Sequence, residues 1–102
     1  IILRNMKHLE FSWNTEKDKA NQKKHGVSFQ EAQMVFHDEN ARLIDDPDHS
    51  EDEERFILLG ISSKLRILTV CHCYRVNNTV IRIISARKAT QTERKQYEEY
   101  LP

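Results

Sequence analysis

The sequence is poor in the residues that mark several classes of protein. Two glycines and two prolines among 102 residues exclude collagen-like, linker and low-complexity chains. Two cysteines are too few for a disulfide scaffold, and their apolar surroundings suit a reducing cytosol. The longest apolar run covers residues 56–61, far short of the roughly 20 residues that span a bilayer. We therefore expect one cytoplasmic domain, residues 1–102, in which residues 1–5 are an upstream extension if Met6 is the natural start.

The chain also lacks a net charge, although its charges are unevenly distributed. Sixteen Lys and Arg balance sixteen Asp and Glu. Residues 1–37 carry a net +2, residues 38–54 carry −8 and residues 55–102 carry +6. Nucleic-acid binding depends on where charge lies rather than on its sum. The balance therefore excludes a uniformly basic binder but not a local basic site, and we expect a polarised surface.

Hydrophobic periodicity predicts a strand, two helices, four strands and a final helix. Alternation over residues 8–13 indicates a half-buried strand. Asn14 or Thr15 then offers an N-cap for a polar helix that ends near Gly26, and the capping box at 28–31 opens a second helix. The later strands are predicted at 41–44, 55–61, 65–74 and 80–86, and a second capping box at 90–93 opens the last helix. The order β-α-α-β-β-β-β-α predicts an α+β fold, a small antiparallel sheet with helices packed on one face.

Two stretches resemble metal sites only superficially. In a strand, neighbouring side chains point to opposite faces, so His72 cannot act together with Cys71 and Cys73. Zinc sites need wider spacing within a cysteine pair, and no second pair is present. The acidic residues between 45 and 54 lack the central glycine and the ligand spacing of a calcium loop. We therefore predict no metal site and no cofactor.

Basic residues gather where they could serve phosphate chemistry. The helix end at 23–25 holds two lysines and a histidine, although cations also simply stabilise the negative end of a helix. Arg82 and Arg87 lie on the last strand, where guanidinium groups can clamp phosphate or form ion pairs with the acidic block. His72 would share a face with Arg82 in one hairpin register and with Arg87 in another, because a one-residue slip exchanges the two faces.

These residue types fit cleavage of RNA without a metal ion. RNA supplies its own nucleophile, the 2′-hydroxyl, so the protein needs a base, an acid for the leaving 5′-oxygen and cations for the phosphorane. His72 or His25 would be the acid or base, and Arg82 and Arg87 would stabilise the phosphorane. No carboxylate is clearly placed as the base, although Glu54 is a candidate. The residues predicted to grip the RNA backbone are Lys23, Lys24, Arg66 and Lys88.

Five short stretches, in this order and spacing, also match a known family. They are FSWN at 11–14, NQKKHGVSF at 21–29, DDPDHS at 45–50, EERF at 53–56 and IRIISARKAT at 81–90. With these motifs the chain resembles the BrnT toxins of bacterial type II toxin–antitoxin systems. The hairpin tip at 73–79 is longer than the family pattern, which leaves the register open. Carried over as catalytic residues are Lys24, His25, Arg82 and Arg87.

The resemblance implies a RelE-like fold and a metal-independent endoribonuclease that inhibits growth. It also implies neutralisation by a BrnA-like antitoxin with a ribbon-helix-helix segment, through which alone the toxin would reach operator DNA. Such a complex could hold more than one copy of the toxin. Two rival hypotheses remain on the same fold, a non-enzymatic toxin that poisons a protein and a module that only holds an antitoxin or co-repressor. Toxicity with intact cellular RNA would favour the first rival, and harmless expression without a partner would favour the second.

Overall fold

The secondary structure follows the predicted order. A computed structural model describes residues 10–45 and 54–102 of the chain. The elements are β1 (Glu10–Ser12), α1 (Thr15–His25), α2 (Phe29–Met34), β2 (Arg42–Asp45), β3 (Phe56–Ile61), β4 (Ile67–Arg75), β5 (Val80–Lys88) and α3 (Gln91–Glu99). A 3-10 turn, Val35–His37, continues α2. The α+β class is confirmed, whereas the proposed extension at 1–5 and most of the acidic block lie outside the described residues.

The helices begin and end at the predicted capping residues. The side chain of Asn14 accepts from Lys17 N, and Gly26 closes α1 with a positive φ of 68°, a conformation that glycine adopts without strain. Thr90 and Glu93 form the complete capping box of α3. In α2 the box is half formed, because Ser28 accepts from Glu31 N while the carboxylate of Glu31 turns to another partner, described below.

The sheet is mixed rather than wholly antiparallel. Its strand order is β1-β5-β4-β3-β2, and β2 to β5 pair antiparallel with their neighbours. The short β1 pairs in parallel with β5, from Glu10 opposite Val80 to Ser12 opposite Arg82. Beyond Arg82, therefore, no strand of the described residues lies along the outer edge of β5, and α1 packs against β5.

A bulge in the β4–β5 hairpin decides which side chains share a face. His72 pairs with Ile83, as in the predicted register that would place His72 on the same face as Arg87. Cys71, however, pairs with Ser85 rather than with Ile84, so Ile84 is an extra residue in β5. An extra residue reverses the alternation of the strand beyond it. Arg87 is thereby moved to the face opposite His72. The prediction that His72 shares a face with an arginine is wrong, since Arg82, which pairs with Cys73, also points away from it.

The core lies between the sheet and the first two helices. Phe29 and Phe36 from the helical side pack against strand residues such as Leu58, Val70 and Ile83, and all five are essentially inaccessible to solvent. The small sheet with α1 and α2 on one face is thus as predicted. None of the helices within residues 10–45 and 54–102 combines the length and the hydropathy that a membrane span requires.

The last helix, α3, contacts strand side chains that alternate with those of the core and therefore point to the other face of the sheet. Glu93 accepts from Thr69 Oγ1 at 3.0 Å, and the guanidinium of Arg42 stacks on the ring of Tyr100 at 3.1 Å from its centroid. Tyr97 is buried and donates to Asp38 Oδ2 at 2.6 Å. Burial and the nearby Asp38 raise the pKa of this phenol above its usual range. Tyr97 therefore stays protonated and holds α3 to the turn that follows α2.

Candidate functional site

Helix α1 is attached to the sheet by a polar side chain. Asn21 is the buried residue of this otherwise exposed or half-exposed helix. Its amide donates to Val27 O at 2.8 Å and to Ala86 O at 2.7 Å, and its oxygen accepts from Ala86 N at 3.1 Å. The side chain thus pairs with the backbone of β5 beyond the end of β1, as a neighbouring strand would. This contact fixes the carboxyl-terminal half of α1 over the last residues of β5.

The same contact brings two groups of basic residues to one end of the sheet. Lys24 and His25 follow Asn21 by three and four positions, so they share its face of the helix. Lys88 follows Ala86 by two positions and points to the same face of the sheet as Ala86. Lys24 and Lys88 are exposed and His25 is half-buried. We call this cluster the basic corner. Its members are Lys24, His25, Arg66 and Lys88, and the exposed Lys23 lies beside it in the last turn of α1.

Arg66, which immediately precedes β4, links the basic corner to α2 and to the end of α1. Its guanidinium forms an ion pair with Glu31, with Nε to Oε2 at 2.9 Å, and donates to Gly26 O at 3.0 Å. Ser62 adds a hydrogen bond of 2.7 Å to the same carboxylate. The hydrogen bond with Arg66 is the largest influence on Glu31 and lowers the pKa of this buried acid. Arg66 was predicted to contact the RNA backbone, but its guanidinium donates hydrogen bonds to Glu31 and to Gly26 O instead.

Arg87 lies next to the corner in sequence but on the other face of the sheet. Its guanidinium forms two hydrogen bonds with Glu93, at 2.7 and 3.0 Å. The hydrogen bond with Arg87 is the main reason that the pKa of Glu93 falls to about 2. The ion pair foreseen for this arginine therefore exists, with a partner on α3 rather than in the acidic block.

Arg82 lies at the opposite end of β5 from the basic corner. It is half-buried beside β1, and its Nη1 atom lies 3.5 Å from Ser12 Oγ. Lys88 lies six positions further along the strand, which corresponds to roughly 20 Å. The structure therefore does not bring Arg82 together with Lys24 and His25.

His72 is a core side chain rather than a surface group. It has no exposed surface, and its ring packs edge-on against Phe36 with centroids 4.8 Å apart. Its ring nitrogens lie 3.3 Å from Val70 O and from the Tyr74 hydroxyl. Burial lowers the pKa of His72 to about 4. The placement of His72 on an open catalytic face is therefore corrected, because a fully buried imidazole cannot reach RNA in this structure.

Glu54 and the candidate metal ligands do not add a second site among the described residues. Glu54 is exposed and precedes β3, at the end of the sheet where β3 meets His72 and away from Arg66. Within residues 10–45 and 54–102, no three His, Cys, Asp or Glu side chains are grouped so that they could hold a metal ion. The basic corner is thus the place where the structure gathers a histidine with several exposed cations.

Comparisons with known proteins match the part of the chain that contains the basic corner. Residues 13–93 match the model of a family described as the ribonuclease toxin BrnT of type II toxin–antitoxin systems. No individual curated protein matches the sequence. The crystal structure of the Brucella abortus ribonuclease toxin BrnT superposes with a TM-score of 0.61 and 24% sequence identity, over 81% of this chain and 99% of that chain. The structural similarity shows a shared fold, and the matched residues include the whole basic corner.

Proposed function

Because the chain belongs to the BrnT family of ribonuclease toxins of type II toxin–antitoxin systems, we propose that it is a toxin that cleaves RNA at the basic corner without a metal ion. The observation that carries the proposal is the contact between Asn21 and Ala86. It brings His25 and Lys24 from a helix to the strand end that carries Lys88. An RNA phosphate would meet a proton acceptor and several cations at this one place.

The proposed step is an attack within the RNA itself. The imidazole of His25 takes the proton of a 2′-hydroxyl, whose oxygen attacks the adjacent phosphorus while the bond to the 5′-oxygen breaks. Lys24 donates a proton to the leaving 5′-oxygen, and the products are a 2′,3′-cyclic phosphate and a 5′-hydroxyl. Lys88 and the exposed part of Arg66 stabilise the charge of the phosphorane.

The other predicted residues are assigned to the RNA backbone. Lys23 is exposed in the last turn of α1, where it can meet a phosphate beside the cleaved one. Arg82 and Arg87 face the other side of the sheet, so we assign them to phosphates beyond the cleaved bond. Lys and Arg contacts of this kind add affinity that falls with salt and carries no sequence preference.

The cellular setting proposed for the chain follows from its family. A type II system pairs a protein toxin with a protein antitoxin, and we propose a BrnA-like antitoxin with a ribbon-helix-helix segment. Binding to operator DNA would then occur through the antitoxin. We further propose that the free toxin acts in the cytoplasm, where its RNA substrates are, and that RNA cleavage inhibits growth. The toxin–antitoxin complex is proposed to be oligomeric.

Cleavage in the presence of a chelator tests the chemistry directly. Purified protein is incubated with single-stranded RNA in excess EDTA, beside a metal-dependent nuclease as control. The rate is expected to stay within about twofold of the rate without chelator, because no step needs a metal-bound water. The same RNA with a 2′-deoxy sugar at the cleaved position is expected to resist. Loss of cleavage in EDTA, or cleavage of the deoxy substrate, would contradict the mechanism.

A further inference from the structure

We propose that Asn21 is a positioning residue for RNA cleavage, one that acts by holding His25 and Lys24 over the end of β5. The inference rests on the proposed function, and it concerns a residue that touches neither the phosphate nor the 2′-hydroxyl. Its basis is the set of three hydrogen bonds that the buried amide makes to Val27 and Ala86.

Helix α1 has little besides Asn21 to hold it against the sheet. A helix on a protein surface is ordinarily fixed by an apolar stripe. Here the small apolar side chain of Ala20 is exposed and the buried position is occupied by Asn21. Two further contacts, from Asp18 Oδ1 to Phe29 N at 2.8 Å and from Arg66 to Gly26 O, tie α1 to α2 and to β4. Asn21 makes the direct bond to β5.

The contact between position 21 and Ala86 needs a side-chain amide. Residue Ala86 offers both a backbone N–H and a C=O at a stretch of edge that β1 does not cover. A carboxamide is the side-chain group that matches this pair with one donor and one acceptor, and its second N–H reaches Val27. A backbone N–H or C=O that is buried without a partner is unfavourable, so an apolar side chain at position 21 would favour separation of α1 from β5.

The contact of Asn21 with β5 also sets the position of the proposed acid and base. Lys24 and His25 lie one helical turn beyond Asn21 on the same face, so a tilt of α1 about this contact displaces both. Displacement of a reacting group by about 1 Å can cost a hundredfold in rate. Binding of RNA by the exposed lysines depends on charge more than on exact geometry. Loss of the Asn21 amide should therefore lower kcat and leave KM nearly unchanged.

The experiment is a double-mutant cycle on kcat with the substitutions Asn21→Ala and His25→Ala. Rates are taken per folded molecule, at a temperature where thermal unfolding shows every variant to be folded. Asn21→Ala is expected to lower kcat by about tenfold to a hundredfold, with KM within about threefold of wild type. In the His25→Ala background the same change is expected to lower kcat by a clearly smaller factor than in the wild-type background, because only Lys24 is left to be displaced.

Two further variants separate positioning from folding. Gln22→Ala removes an exposed amide next to Asn21 in the same helix and should leave kcat unchanged. Asn21→Asp keeps the shape of the side chain and loses donors to the two carbonyls, so it should repeat the loss of kcat if Asn21→Ala does not fold.

Different results would overturn the positioning role of Asn21 and the proposed RNA cleavage. Additive effects of Asn21 and His25, or a kcat that Asn21→Ala and Asn21→Asp leave unchanged, would overturn the positioning role while RNA cleavage by the wild-type protein stands. A wild-type protein that cleaves no RNA would overturn the proposed function, and the role of Asn21 with it.

Discussion

Replacement of His25 by alanine is expected to lower kcat for RNA cleavage by about a hundredfold or more, the usual contribution of a general base. Among the described residues, His25 is the histidine at the end of α1, next to the exposed Lys24, and the bonds of Asn21 to Ala86 bring this helix end to the part of β5 that carries Lys88. Its side chain makes no hydrogen bond on which the fold depends among those of the described residues. The loss should therefore appear in kcat, measured with excess RNA, without a matching loss of thermal stability.

The matched control for this substitution is His37→Ala. His37 is exposed in the turn after α2, and its replacement makes the same chemical change outside the basic corner. The control should keep the kcat of the wild-type protein. If both substitutions leave kcat unchanged, or both lower it equally, His25 is not the base.

Replacement of His72 by leucine is expected to remove a large part of the acid sensitivity of the fold. Burial lowers the pKa of His72 to about 4 in the folded protein, from an ordinary value of 6.5. Between these two values the unfolded chain binds a proton that the folded protein does not, so stability falls as the pH falls from 6.5 towards 4 and is fully present above 6.5. The loss attributable to this one group is about 2–3 kcal/mol.

Urea unfolding at a series of pH values between 4 and 7 measures this dependence. Wild-type protein and His37→Leu, whose site is exposed, should both lose stability across the range. The His72→Leu protein should lose about 2–3 kcal/mol less than either. Parallel curves for His72→Leu and wild type would mean that His72 is accessible to protons in the folded protein, which would contradict its placement in the core.

The elements of the fold were predictable because their signals are local. Capping residues such as Asn14, Ser28 and Thr90 act within one helical turn, and the structure shows each of them in that role. The strands β3 and β4 were predictable from their apolar runs, which are also local signals. The parallel pairing of β1 with β5 was missed, because strands so far apart in sequence leave no local sign of the direction in which they pair.

The arrangement of the candidate site was less predictable, because it depends on single residues with long-range partners. The bulge at Ile84 reverses the faces of β5, and no glycine or proline marks it. His72 follows Val70 by two positions in an apolar strand, and this spacing was the available sign that it belongs to the core. The partners of Arg66 and Arg87, namely Glu31 and Glu93, are fixed by tertiary packing.

Asn21 was missed although the sequence contained a sign of its role. A helix with almost no apolar residue must be held by something else, and an asparagine at its centre is unfavourable for helix formation. The polarised surface remains a prediction, since residues 46–53 of the acidic block lie outside the described part of the chain.

The central claim is that RNA binds the basic corner, and a nuclear magnetic resonance titration tests it most directly. A short RNA with 2′-O-methyl groups throughout cannot be cleaved by the proposed step, so it can be added to wild-type protein at equilibrium. We predict that the largest shift changes occur at Lys24, His25 and Lys88. Changes centred on Arg82 and Ser12, with the basic corner unaffected, would contradict the account.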